Sequence, residues 1–245
     1  IALRINPEVD AHTHANITTG LAENKFGIAM SDMEQVVEKA SQMSHVQFTG
    51  LHFHIGSQIL DMNDFVALCN RINQIQQMFR LKHIRIDNIN VGGGLGVSYE
   101  HPNKLSIPDF KSYFKTYAQH LKLEDYQTLH FELGRAVVAQ CGSLITKGVH
   151  KQFCIVDAGM SDLIRPALYQ AFHKIENLSN DGPQETYDIV GPICESSDVF
   201  AKSYDINSCH RGDLLALRSA GAYGEIMASP YNCRKLPVGY ITEDF

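Results

Sequence analysis

Residues 50–94 read GLHFHIGSQILDMNDFVALCNRINQIQQMFRLKHIRIDNINVGGG, and this stretch decides the fold. Residues 50–55, GLHFHI, read as a strand. Residues 61–81 place Phe65, Leu68, Ile72, Ile75 and Phe79 at helical spacing, which predicts an amphipathic helix. Residues 83–91 are a second strand, closed by Gly92, Gly93 and Gly94. A strand, a helix and a strand joined by short loops make a βαβ unit, whose strands lie parallel through a right-handed crossover.

The same rhythm extends outward. Residues 1–5 form a short apolar run that turns at Pro7, and Ser31, with Glu34 three residues on, predicts the N-cap of a helix reaching Met43. Downstream, a helix is expected over 108–121 and a strand over 128–133. After about Gly142 the pattern changes to short β-rich runs at 143–146, 153–156, 186–190 and 214–219, interrupted by one expected helix over 164–175. The expectation is therefore an α/β chain of two domains. Residues 1–140 would form the later part of a (β/α)8 (TIM) barrel, and 141–245 a mainly β domain, a barrel or sandwich that could be incomplete. The first half supplies about four βα units where the closed barrel has eight. Since the chain opens inside a strand, the remaining units are expected upstream of Ile1.

Composition narrows the function classes. The formal net charge of −6 and pI near 6.0, with basic residues scattered, argue against nucleic-acid binding through bulk charge. No run approaches the roughly 18 apolar residues of a membrane span, so neither nucleic acid nor membrane is an expected partner. The 6 cysteines form no CxxC pair and suit reduced thiols in a cytoplasmic protein. Of the 12 histidines, His12/His14 and His52/His54 are spaced by two, yet no Cys or carboxylate set completes a zinc pattern around them. No metal is expected.

In a parallel βα barrel, functional residues sit at the C-terminal ends of strands. Here those ends carry Arg4–Asn6, His54 with Gly56 and Ser57, Gly92–Gly94, and Glu132 with Gly134 and Arg135. Three glycines can turn backbone N–H groups toward an anion, or simply make a tight turn; Ser57 and Arg135 add a hydroxyl donor and a fixed cation. His54 could stack on an aromatic cofactor, or be a bonded core histidine. Glu132, in an apolar stretch, needs a partner: a protonated ring nitrogen, or Arg135 itself. In the second half, Cys194 stands beside Glu195 and near Asp198, where a thiol could deliver a proton and a carboxylate receive an ammonium group. Arg165 and Tyr169, at i and i+4, could clamp a substrate carboxylate, and Tyr223 lies in a glycine-flanked loop.

Taken together, HFHIGSQI (52–59), NVGGGLG (90–96), FELGR (131–135), VDAGMSDLIRPALY (156–169), VGPICESSDVF (190–200) and GAYGEIMASPYNCR (221–234) resemble, in order, the diaminopimelate decarboxylases of the fold-type III pyridoxal-phosphate (PLP) enzymes. The stretch 6–28 also reads like that family. The resemblance implies PLP at the mouth of the barrel, a C-terminal β domain and a homodimer with shared active sites. It implies that His54 stacks on PLP, that Ser57, Gly92, Gly93 and Gly94 hold its phosphate, with Gly134 and Arg135 nearby, and that Glu132 keeps the pyridine nitrogen protonated. Arg135, Arg165 and Tyr169 would bind substrate carboxylate, Glu195 the far amino group, and Tyr223 both PLP and substrate. Cys194 would reprotonate the substrate carbon. The implied reaction is decarboxylation of meso-2,6-diaminopimelate to L-lysine. Alternatives are a PLP decarboxylase of ornithine, arginine or carboxynorspermidine, or a PLP-binding homologue without activity. The chain departs from the family at Leu133, where Pro is common, at Ser197 in CESSD for CESGD, and in a short stretch before 153, where a loop near 147–152 could be missing. No lysine here has the Tyr-Ala-x-Lys-Ala-Asn context of the family's Schiff-base lysine, which is expected upstream of Ile1.

Overall fold

The computed structural model describes residues 1–9, 26–105, 107–150 and 153–241. The chain divides into two compact units, Ile1–Gly96 with Ile107–Ala136, and Val97–Ser106 with Val137–Phe245.

The first unit carries β1 (Ala2–Arg4), β2 (Gly50–His52), β3 (Asn88–Asn90) and β4 (Thr128–His130), all parallel in that spatial order. Between them run α1 (Met33–Ser41), α2 (Met62–Leu81) and α3 (Phe110–His120). The register aligns Leu3, Leu51, Ile89 and Leu129 in one row, and this row joins the apolar core. Pleat alternation turns the next row, Arg4, His52, Asn90 and His130, to the opposite face. The helix periodicity read over 61–81 holds: Phe65, Leu68, Ile72, Ile75 and Phe79 are all buried. Asp61 caps that helix by accepting the Asn63 N–H at 2.9 Å. Against α2 lies α3, where Phe65 and Tyr113 meet edge to face at 4.9 Å between ring centroids.

Three local expectations are corrected. Ser31 does not cap α1: Asp32 holds the N-cap position without a side-chain cap bond, and the Ser31 hydroxyl donates to Asp32 Oδ1 instead. The strand expected from residue 83 starts at Asn88, because His83 takes a left-handed φ of 57° and the Ile84 N–H still bonds Phe79 O at the end of α2. The helix expected over 164–175 is a single turn, α5 (Arg165–Tyr169), which follows the short α4 (Arg135–Val138) in chain order. Gln170 ends α5 at φ 53°, and residues from Ile175 pair as a strand. The His12/His14 pair and most of the 6–28 word lie outside the described residues.

The second unit contains β5 (Leu144–His150), β6 (Cys154–Val156), β7 (Ile175–Asn177), β8 (Gln184–Val190), β9 (Val199–Asn207) and β10 (Leu214–Leu217). They form one sheet in the order β7-β10-β5-β6-β8-β9, with β6–β8 parallel and the other pairs antiparallel. A hydroxyl ties the two edges together: Tyr204 on β9 accepts the Ile175 N–H at 3.0 Å and donates to Ile175 O at 3.2 Å on β7. Cys154, Val156, Ile189, Leu215 and Leu217 fill the core beneath the sheet.

Candidate active site

In the first unit the expected residues meet at the C-terminal ends of adjacent parallel strands. The chain leaves β3 through Gly92, at φ 71°, and a Cβ there would lie 2.4 Å from Phe53 O. A Cβ on Gly93 would lie 2.3 Å from Glu132 O. Glycine is therefore demanded by the close approach of the three strand ends. Two of the N–H groups serve the site itself: Gly92 donates to Asn90 Oδ1 at 2.8 Å and Gly93 to His54 Nδ1 at 3.3 Å. That second bond fixes the imidazole tautomer, since an accepting Nδ1 leaves the ring proton on Nε2. Burial, and then the Arg4 cation, lower the His54 pKa to about 4, so the ring is a neutral, flat group near pH 7.

Arg135 is buried and forks onto Ser57, with Nε and Nη2 donating to Ser57 Oγ at 3.2 and 3.0 Å. A cation and a hydroxyl thus stand beside the glycine turn, a donor set suited to phosphate. Glu132 is exposed rather than buried. Its Oε1 accepts from Asn90 Nδ2 at 2.9 Å, and its Oε2 lies 3.3 Å from His52 Nε2. Neither bond involves Arg135. Asn90 and His52 are site residues that sequence reasoning missed. The signal was present in their register, because both stand in the polar row that ends at the glycine turn.

In the second unit, three of the quoted stretches are stitched together by carboxylates. Buried Asp198 accepts the Met160 N–H at 2.6 Å and the Ile193 N–H at 2.7 Å, joining the turn that bears Cys194 and Glu195 to the 156–169 stretch. Asp162 accepts the Gly159 N–H at 2.7 Å and pairs with Arg234 at 3.4 Å. Ser229 N–H reaches Ser161 O at 2.9 Å. Cys194 is an exposed thiol, and Glu195, also exposed, accepts from Tyr231 Oη at 2.5 Å. That bond raises the phenol's pKa above its ordinary value. Tyr231 lies within the quoted stretch 221–234 but has no role read from the sequence.

Arg165 is 4% exposed at the start of α5, with Tyr169 half-buried at its end. The Arg165 guanidinium lies 4.8 Å from the Tyr99 ring centroid, and Nη1 is 3.0 Å from His173 Nε2. Tyr223 is exposed at φ 60°, a conformation that costs a bulky residue energy and recurs at functional sites. Gly221 anchors that loop, its N–H bonding Ala139 O at 3.0 Å. Among the described residues no group of His, Cys, Asp and Glu could hold a metal ion, and no helix is long and apolar enough to cross a membrane.

The chain is similar over its length to known proteins. The family model described as pyridoxal-dependent decarboxylase, pyridoxal binding domain, matches residues 1–139, and its C-terminal sheet domain counterpart matches 130–221. The diaminopimelate decarboxylase of Bacteroides thetaiotaomicron is 67% identical across 100% of this chain and 65% of its own length. That of Pseudomonas aeruginosa is 44% identical over 96% of this chain and 57% of its own. The crystal structure of diaminopimelate decarboxylase from Helicobacter pylori complexed with L-lysine superposes with a TM-score of 0.88 at 39% identity, over 96% of this chain and 60% of that one. A viral arginine decarboxylase, 19% identical with a TM-score of 0.78, shares the fold. The chain thus spans 57 to 65% of the length of these curated relatives.

Proposed function

Since the chain belongs to the pyridoxal-dependent decarboxylase family, we propose that it forms the later part of a diaminopimelate decarboxylase, which converts meso-2,6-diaminopimelate to L-lysine and CO2. On this reading 1–140 is part of the (β/α)8 barrel that binds PLP and 141–245 belongs to the C-terminal β domain. The protein works in the cytoplasm as a homodimer with shared active sites. The observation that carries the proposal is the convergence of His54, Ser57, Gly92–Gly94, Glu132 and Arg135 at neighbouring strand ends, in a chain two-thirds identical to a diaminopimelate decarboxylase.

The donor set fits PLP. Ser57, Arg135 and the glycine turn, with Gly134 beside them, would hold its phosphate; neutral His54 would lie against its ring; and Glu132, steadied by Asn90 and His52, would face its ring nitrogen. When bound, the cofactor supplies an electron sink for the pair released as the C–C bond to the carboxylate breaks. The chain's own residues select and handle the substrate. Arg165 and Tyr169 hold a substrate carboxylate, Glu195 receives the distal ammonium, and Tyr223 contacts the cofactor and the substrate. After CO2 departs, the Cys194 thiol gives its proton to the carbon, so that one C–C bond is exchanged for one C–H bond.

The test uses the intact protein loaded with PLP. Cys194→Ala is expected to lower kcat by on the order of a hundredfold or more, the usual worth of a positioned general acid, while the visible absorbance of the cofactor is unchanged. Turnover of ornithine or arginine but not of meso-diaminopimelate would assign another substrate. Cofactor absorbance with no CO2 release from any of them would assign a binding protein.

A further inference from the structure

We infer that Asp198 is a positioning residue for the reaction: its carboxylate sets the turn that carries Cys194 against the stretch that carries Arg165. The inference rests on the reading of Cys194 as the proton donor, and it gives a role to a buried side chain that the proposed function leaves unused.

Cys194 lies in the connection between β8 and β9, residues 191–198. Its thiol is exposed, so the backbone of this turn largely decides where it stands. The turn closes on itself through three bonds: the Gly191 N–H donates to Asp198 O at 3.0 Å, the Glu195 N–H to Ile193 O at 2.8 Å, and the Asp198 N–H to Glu195 O at 3.1 Å. The Asp198 side chain then adds what those bonds do not. Its Oδ2 accepts the Ile193 N–H at 2.7 Å, one residue before Cys194. Its Oδ1 accepts the Met160 N–H at 2.6 Å, five residues before Arg165. Asp198 is 3% exposed and Ile193 7%. The seat is tight. A Cβ on Gly191 would lie 2.3 Å from Oδ2 and 2.5 Å from Oδ1, so no larger residue fits there while the carboxylate keeps its place.

A carboxylate suits this task better than a neutral group. It offers two accepting oxygens at a fixed spacing, and its bonds to N–H donors are charge-assisted, shorter and stronger than neutral ones. Here each oxygen serves a different segment, so one rigid group sets the distance between them. An amide has a single accepting oxygen, and its other end would meet an N–H with an N–H. The precision matters for a proton donor, because a small displacement from the reacting atom lowers the rate steeply.

The experiment is a double-mutant cycle in the intact PLP-loaded protein. It reads kcat, KM for meso-diaminopimelate, the visible absorbance of the cofactor and, independently of activity, hydrogen exchange at the Ile193 and Met160 amides. Asp198→Asn keeps the side chain's size and one accepting oxygen, so exchange should quicken at one of the two amides. kcat is expected to fall by on the order of tenfold, with KM and cofactor absorbance changed by less than about threefold. In the Cys194→Ala background the same substitution should lower kcat by less than about threefold further, because residues that act as a unit are not additive. Gly191→Ala, which keeps the carboxylate but crowds it, should reproduce both results, and it decides the question should Asp198→Asn not fold. A purely structural Asp198 predicts losses that multiply in the double variant, or an equal fall of kcat, substrate affinity and cofactor absorbance. Either result would overturn the inference. So would wild-type kcat in Asp198→Asn and Gly191→Ala alike while Cys194→Ala loses turnover, an outcome that leaves the proposed function standing. Wild-type turnover in Cys194→Ala would instead remove the proton donor, and this inference with it.

Discussion

His54 shows how much one backbone N–H can decide. The Gly93 N–H bond to Nδ1 and the burial of the ring make the imidazolium unfavourable, and the Arg4 cation and then His52 add to this against the opposing pull of Glu132. The folded pKa of about 4 lies below the value of about 6.5 expected for an unfolded histidine. The direction of the linkage follows. Above about pH 7 the residue is neutral in both states and contributes no pH dependence. As pH falls from about 6.5 toward 4, the unfolded chain takes up a proton that the folded one refuses, and stability drops by at most about 3 kcal/mol. An NMR titration of the cofactor-free protein should place the His54 midpoint near 4, and His54→Gln should flatten that part of the stability profile. A midpoint near 6.5 would mean that the ring is solvated and free of Gly93.

At the scale of elements, the Tyr204 hydroxyl joins β9 to β7 by satisfying both the N–H and the C=O of buried Ile175. Tyr204→Phe removes both bonds and strands two backbone groups in a site with little water. The expected cost is about 1–3 kcal/mol, read as a lower urea midpoint with an unchanged slope. A loss under about 0.5 kcal/mol would show that solvent reaches Ile175 readily. This closure also marks where the sequence stops being legible. α2 could be read in advance because one helix face buries five regularly spaced side chains. β9 was missed, since VFAKSYDIN breaks its alternation at Ser203, which sits at φ 48°. β7 was missed: its first residue, Ile175, reads as the end of an expected helix, while Ile175–Asn177 pairs with β10. The site divides in the same way. Motif residues such as Ser57, Arg135 and Cys194 stood out by type and position. Their supports Asn90, His52, Tyr231 and His173 did not, because each is recognised only by the neighbour it touches: Tyr99 and Arg165 are far apart in sequence, yet their side chains stack.

At the scale of the whole molecule, the four-stranded sheet of the first unit raises a question of exposure. Parallel sheets are ordinarily covered on both faces and closed or protected at both edges. Here Leu3, Leu51, Ile89 and Leu129 face the helical core, while Arg4, His52, Asn90 and His130 line the other face. Among the described residues β4 pairs with β3 alone, and the outer edge of β1 is met only by the single bridge between Ile5 and Ile28. Each edge therefore presents backbone N–H and C=O groups that further strands would satisfy. We expect residues 1–245 produced alone to self-associate, with light scattering after size exclusion giving a mass that climbs with concentration. A polypeptide extended upstream toward the length of the curated relatives should give one sharp species under the same conditions. Charged substitutions that blunt strand pairing at the β4 edge, such as Leu129→Lys, would not rescue the short chain, because Leu129 packs in the core and its loss removes stability as well. A better probe is Thr128→Lys, at an exposed position of the same strand. It should reduce association of residues 1–245 and leave the extended polypeptide unchanged. A short chain that stays monomeric at high concentration without that substitution would show that these edges are not adhesive, and the expectation of further strands beside them would lose its physical basis.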